Sequence, residues 1–368
     1  MKDGDDDLPR SYTNVHHQCL TTLRGHNSYV SSLTLVGKFL YAGTSDSEIR
    51  SWDRSTFTSD HLSIEKITDN AVAVGKGAVK SLIVLADKLF SAHQDQKIRV
   101  WKVTSDESQR NQRYTKLATL PTLSDRALKV LAPKNQVQIR RHKKCTWVHH
   151  VDAVSCLAMS TDESLLYSVS WDRTLKVWRL SDFKCLESVA NAHDDAINVV
   201  LASADGNVYT GSADRRIKVW RKLQGGKSHT PVNLLENHSS GVNALAVNSD
   251  GSMLCSGSSD GAIFIWEKDE EGGKMVVMAA SLQGHSQSIL CLAFVSGIIF
   301  SGSADKTIRI WVSTGRSYSC LAVLQGHQGP VKCLSAVVDH YRPSDSFFIY
   351  SGSLDCSIKV WHILVSSF

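Results

Sequence analysis

An aspartate stands six positions before a tryptophan seven times in this chain, at Asp46/Trp52, Asp95/Trp101, Asp172/Trp178, Asp214/Trp220, Asp260/Trp266, Asp305/Trp311 and Asp355/Trp361. The surrounding words repeat as well, as "SGSADKTIRIW" from Ser301, "TGSADRRIKVW" from Thr210, "SGSSDGAIFIW" from Ser256 and "SGSLDCSIKVW" from Ser351. Self-similarity of this kind denotes a repeat architecture, in which one unit cannot bury its own apolar faces and neighbours must stack. Short, alternating, β-branched runs such as "ILCLAF", "IIFSGS" and "TIRIW" lie between turn residues, so strands of about five residues are predicted rather than helices. Each repeat is then a small antiparallel sheet, and a ring of such sheets leaves only short, protected edges.

The ring must also shut. Before the first complete repeat the chain reads "CLTTLRGH" from Cys19, close to "CLAVLQGH" from Cys320, while it ends soon after Trp361. The last repeat therefore lacks an outer strand, and residues 19–23 are expected to supply it, removing an edge that would otherwise template aggregation. Residues 1–18, opening with the acidic "MKDGDDDLPR", carry too little apolar content to pack and are expected to be disordered. Residues 19–368 form the ring, with an insertion at about 104–148 that must also provide the outer strand of the second repeat.

The "RGH" and "QGH" words, the turn aspartate and the closing tryptophan resemble WD40 repeats over nearly the whole chain. The resemblance implies an all-β, seven-bladed WD40 β-propeller closed by pairing of the N-terminal strand with the last blade. It also implies a hydrogen-bonded tetrad in each blade, carried here by His150/Ser168/Asp172/Trp178, His193/Thr210/Asp214/Trp220, His238/Ser256/Asp260/Trp266, His285/Ser301/Asp305/Trp311 and His327/Ser351/Asp355/Trp361. A buried carboxylate needs donors, and imidazole, hydroxyl and indole can relay hydrogen bonds to it. Two repeats depart: the first has His26 but Ala42 at the hydroxyl position, and the second has Gly75 where the histidine belongs. Both blades should form, with less rigid tetrads. The wording "VHHQCL", "KNQVQIRRHKKCTWVHHVDAVSCLA" and "SVSWDRTLKVWR" is similar to plant WD-repeat proteins of the JINGUBANG type, which implies a plant signalling scaffold.

Composition narrows the functions. A formal charge of +5, from 41 basic and 36 acidic residues among 368, is too small to read as a nucleic-acid field. Nine cysteines show no CxxC spacing, and Cys156, Cys255, Cys291 and Cys333 sit in apolar runs, as reduced core thiols do. No signal peptide, membrane span or lipidation motif is recognised, so a cytoplasmic or nuclear address is expected. "GSSDG" at residues 257–261 matches G-x-S-x-G, but it falls on a repeated hairpin turn instead of a strand-to-helix elbow. Fifteen histidines lack cysteine or carboxylate partners at ligand spacing. No enzyme, cofactor or metal is expected.

Interaction residues are legible in three places. Trp171 precedes the turn Asp172 where sister repeats carry Ser45, Gln94, Ala213, Ser259, Ala304 and Leu354; an indole on a tight turn suits an interface hot spot better than packing, although packing on Trp147 is the alternative. Three and five residues after each histidine position, the family places residues on the same face; here the larger ones are Tyr29, Lys80, Asn198, Asn243, Leu290 and Lys332. With Gln94 and Leu354 they compose a mixed protein-binding surface. The run "RRHKK", with Arg140, Arg141, Lys143 and Lys144, is either a solvated loop or a docking site for an acidic or phosphorylated segment or a nuclear import signal. Basic residues in the middle of the third strands, Arg50, Arg99, Lys176, Lys218, Arg309 and Lys359, are read as a polar strand face spread around the ring.

The functional expectation is a non-catalytic scaffold in plant signalling or development, a monomeric propeller that offers one face to a protein such as a transcription regulator or signalling protein. A cullin-type ubiquitin-ligase receptor is the first alternative, but "WDRS" at Trp52 lacks the final base of the adaptor pattern W-D-x-R/K. An RNA-binding propeller is the second, and no stacked aromatic run accompanies the basic residues.

Overall fold

The computed structural model describes residues 12–57, 71–106, 111–123, 125, 136–140, 143–223, 225–226, 228–269, 275–313, 317–339 and 345–367. It is a seven-bladed β-propeller of antiparallel four-stranded sheets, each with its strands in sequence order from the central channel outward except the last. The inner strands are Val30–Val36, Val79–Leu85, Val154–Met159, Ile197–Ala202, Val242–Val247, Ile289–Val295 and Val331–Val338, defining blades 1 to 7. Separately, Gln136–Arg140 and Lys143–Thr146 pair as a hairpin.

Blade 7 closes the ring. Its outer strand is Tyr12–Leu23, antiparallel to Ile358–Ser367, with Cys19 opposite Trp361 and Leu23 opposite Ile358. The strand begins seven residues before the expected Cys19, so residues 12–18 are not disordered. The correction has a simple cause: the last strand runs on to Ser367 and offers a ladder that Val15 to Gln18 satisfy, and Val15 packs against the core between blades 6 and 7. Residues 1–11 lie outside the described residues. The expected insertion shrinks in the same way, because Ile98–Asp106 and Asn111–Leu120 are the third and outer strands of blade 2.

The hydrophobic core is divided among the seams. Seven apolar clusters occur among the described residues, and each draws on two adjacent blades. No blade buries its faces without its neighbour, as the sequence argument requires. Five second strands carry a glycine where a blade approaches the next: a Cβ on Gly43, Gly211, Gly257, Gly302 or Gly352 would stand 2.4 to 2.7 Å from the nearest side chain at that seam.

Polar side chains sew the same seams. Ser31 Oγ donates to the Val79 carbonyl, Ser155 Oγ to that of Ile197, Asn198 Nδ2 to that of Val242 and Asn243 Nδ2 to that of Ile289. Cys291 and Cys333 donate through sulfur to Val331 and Val30, and the Leu157 amide donates to Ser81 Oγ. All seven seams thus carry a side-chain hydrogen bond near the channel, five from N–H or O–H donors worth about 1 kcal/mol each and two weaker ones from thiols. Burial pushes the Cys333 thiol up to about 12, which suits an inert core position.

Candidate functional site

The turn that ends each second strand is built by the aspartate. In blade 6, Asp305 accepts from His285 Nδ1 at 2.8 Å and from the amides of Ser286 and Thr307 at 3.1 and 2.9 Å. His285 Nε2 meets Ser301 Oγ at 2.8 Å, and that oxygen accepts from Trp311 Nε1 at 2.8 Å. The same chain of contacts recurs in four more blades. His150, His193, His238 and His327 turn Nδ1 to Asp172, Asp214, Asp260 and Asp355. Their Nε2 atoms lie 2.7 to 2.8 Å from the hydroxyls of Ser168, Thr210, Ser256 and Ser351. Those hydroxyls accept in turn from the indoles of Trp178, Trp220, Trp266 and Trp361 at 2.8 to 2.9 Å. The carboxylates are held low by these partners against the opposing effect of burial; Asp214 and Asp355 fall to about 2.

The inner tetrad members lie inside the blades. Ser168, Trp178, Trp220 and Trp266 are buried and cannot be reached by a partner. Trp178 packs in the apolar cluster between blades 2 and 3, Trp220 in that between blades 3 and 4, and Trp266 in that between blades 4 and 5. The physical reason is that an indole N–H meets the second-strand hydroxyl only when the ring lies inside a seam, where its apolar area is covered and its one donor satisfied. These four residues, like Thr210, Ser256, Ser301 and Ser351, hold the blades and do not belong to the candidate interaction site.

The two departures are resolved differently. In blade 1 both ring nitrogens of His26 are buried without a hydrogen-bond partner, and the ring packs edge-on against Trp52 at 5.3 Å. Asp46 there bonds Thr44 instead. In blade 2 a histidine absent from the loop arrives from the second strand. His93 Nε2 lies 2.8 Å from Ser91 Oγ, which accepts from Trp101 Nε1 at 2.9 Å, and His93 Nδ1 faces the Gly77 carbonyl at 3.1 Å. Asp95 is released to form a two-pronged pair with Arg99. His93 was missed because the motif was sought in the loop; its only sequence signal is a histidine at the place of Thr44, Ser170 and Ser303.

These turns set a rim. In every blade the residue before the aspartate donates its amide to the carbonyl three residues after the histidine position: Ser45 to Tyr29, Gln94 to Ala78, Trp171 to Ala153, Ala213 to Ala196, Ser259 to Gly241, Ala304 to Ser288 and Leu354 to Pro330. The two groups of candidate interaction residues are therefore neighbours on one end of the ring. Trp171 and Leu354 are the large apolar side chains exposed there, at 40% and 41%. Lys80, from the adjoining blade, places its ammonium 5.2 Å from the centre of the Trp171 ring, a favourable cation–π position. Burial lowers the Lys80 pKa, and the like charge of Lys332 lowers it further. Neither lysine has a carboxylate partner among the described residues.

The remaining candidates differ in burial and bonding. Asn198 and Asn243 are half-buried and spend their amide donors on the seams, and Asn243 also donates to Ser259 Oγ at 2.8 Å. Leu290 is half-buried and Gln94 exposed. Ser259 sits in the hairpin turn, as read. Arg140 ends one strand of the hairpin and pairs in register with Lys143, with Lys144 following; Arg141 lies outside the described residues. The basic third-strand residues are not a solvated face. Lys176 and Arg99 are only 1% and 4% exposed, and Lys176 Nζ donates to the Trp147 carbonyl and Ser188 Oγ. Lys218 and Lys359 reach the Ala192 carbonyl and Thr22 Oγ1. The third strand is covered by its outer neighbour and the incoming loop, so a cation there must find acceptors or lose its hydration uncompensated.

The model of the family described as "WD domain, G-beta repeat" matches residues 17–53, 142–179, 183–221, 229–267, 277–312 and 318–362, passing over the blade that holds Gly75. The chain is similar to the small ribosomal subunit protein RACK1 of Drosophila melanogaster, 32% identical over 171 residues, or 44% of this chain and 52% of that protein. It is also similar to the protein ROOT INITIATION DEFECTIVE 3 of Arabidopsis thaliana, 32% identical over 184 residues, or 45% and 40% of the two chains. The crystal structure of the WD40 beta propeller domain of Doa1 superposes with a TM-score of 0.66 at 20% identity, covering 94% of this chain and 96% of that one. The chain spans about half, or less, of the length of several curated relatives it matches.

Proposed function

The chain belongs to the WD40 repeat family, whose propellers are typically protein-interaction scaffolds, and from that premise we propose that it binds a protein partner on the rim around Trp171. The observation that carries this reading is the exposed indole under the Lys80 ammonium, on the rim where Lys80 also feels the charge of Lys332. A large amphipathic ring, fixed by a turn and capped by Lys80, which in turn feels the charge of Lys332, neither lysine having a carboxylate partner among the described residues, is suited to an acidic segment carrying an apolar residue. Leu354 and Tyr29 extend the surface across blades 7 and 1, while Asn198 and Asn243 serve the ring.

The role follows from display of this rim: a non-catalytic scaffold acting in signalling or developmental regulation of a plant cell, in the cytoplasm or nucleus. Support for the plant setting is the wording shared with plant WD-repeat proteins and the similarity to the Arabidopsis protein. The test is affinity capture from plant extract with wild type and Trp171→Ala, read by quantitative mass spectrometry. A partner set lost with the indole supports the proposal; identical sets refute it.

A further inference from the structure

Blade 2 carries a second feature, on its outer half and two strands away from the inner strand that carries Lys80. Beside Trp101 lies an open cavity of about 820 Å³, bounded by the loop at Val74, Gly75 and Lys76, the third strand and the outer strand, with residues 121–123 as its far wall. In blade 6 the corresponding loop closes on the tryptophan: a Cβ on Gly284 would stand 2.8 Å from Arg309 Nη1 and 3.0 Å from Trp311 Cη2. In blade 2 Val74 replaces that glycine and is 63% exposed.

The lining is of two kinds. Val74, Leu117 and Leu123 are three of the nine exposed large hydrophobic residues of the described chain, and all three face this cavity. Lys76, Lys97 and Lys116 share it with Arg99. Arg99 is neutralised by Asp95, whereas the three lysines have no carboxylate partner among the described residues. Inside the blade, burial is the main cause that disfavours protonation of His93; Arg99 and Lys116 add to it, while the Gly77 carbonyl and Asp95 oppose it. A volume of this size accommodates a ligand or a few side chains, and exposed apolar surface rimmed by charge of one sign marks an interaction site.

We propose that this cavity is a second docking site, taking a short acidic peptide segment of a partner protein that inserts at least one large apolar side chain between Leu117 and Leu123 and sets carboxylates against Lys76, Lys97 and Lys116. The charge complementarity selects acid and the exposed leucines select an apolar anchor. The site is independent of the Trp171 rim and does not rest on the reading given to it.

The test is selection of a random peptide display library, about twelve residues long, on the intact wild-type chain, followed by titration of enriched peptides against Lys97→Glu/Lys116→Glu, Lys97→Gln/Lys116→Gln and Trp171→Ala proteins with matching melting temperatures. The expected result is a group of net acidic peptides with a required Leu, Ile or Phe, whose affinity falls at least about tenfold on the glutamate variant, falls less on the glutamine variant, and is unchanged by Trp171→Ala. Lack of any lysine-dependent peptide overturns the proposal, as does dependence without acidic or apolar residues. So does lysine-dependent binding of a single-stranded RNA oligonucleotide or phosphatidylserine vesicles when no peptide binds.

Discussion

His93 occupies the space that a side chain on Gly75 would need: a Cβ built there would lie 2.4 Å from His93 Cε1. The two positions are 18 residues apart in the chain, yet they act as one, since the imidazole reaches Ser91 from the strand instead of the loop. Gly75→Ala should therefore cost about 1–3 kcal/mol through overpacking. Gly75→His combined with His93→Ser should recover much of that loss. Thermal melts of the single and double variants check the coupling, and an additive result would contradict it.

The unpartnered or re-routed histidines predict a pH dependence. Burial, aided by the Arg50 cation, lowers His26 to about 4, and burial, aided by Arg99, does the same for His93. An unfolded chain protonates them near 6.5. Between pH 6.5 and 4 the unfolded state therefore binds more protons, so stability falls as the solution is acidified through that window, by on the order of 3 kcal/mol per histidine. Above 6.5 neither contributes a slope. His26→Leu keeps an apolar contact for Trp52 and removes one titrating group, so its melting temperature should fall less steeply on acidification than that of wild type.

Asp305 gathers a ring nitrogen, two amides and the Thr307 hydroxyl. Asp305→Ala strands several donors, each at about 1–3 kcal/mol when buried, without removing any residue of the Trp171 rim. The expected outcome is a lowered melting temperature with partner capture retained below it. An unchanged melting temperature would argue that the tetrad contributes little.

Much of the ring was legible because the Asp and Trp of each blade are separated by a third strand of fixed length, so seven sheets could be counted and five tetrads named residue by residue. The closing strand was legible from the likeness of "CLTTL" to "CLAVL". Its start at Tyr12 was not, because the extension depends on Ile363 and Val365 continuing the partner strand. Burial of Lys176 was hidden for a related reason: alternation identifies the strand face but not the loop carbonyl at Trp147 that covers it. Asn198 and Asn243 were placed at the channel mouth by family spacing, yet their seam bonds depend on how close one inner strand comes to the next. Trp171 stood out as an exception to its repeat position; the lysine above its ring comes from another blade.

The central claim, that the Trp171 rim binds protein, is tested most directly by calorimetric titration of a captured partner against wild type and Trp171→Ala, with melting curves of both. The account predicts a loss of at least about 2 kcal/mol in binding, the level of a hot spot, at an unchanged melting temperature. Equal affinities, or a loss of binding that only accompanies unfolding, would contradict it.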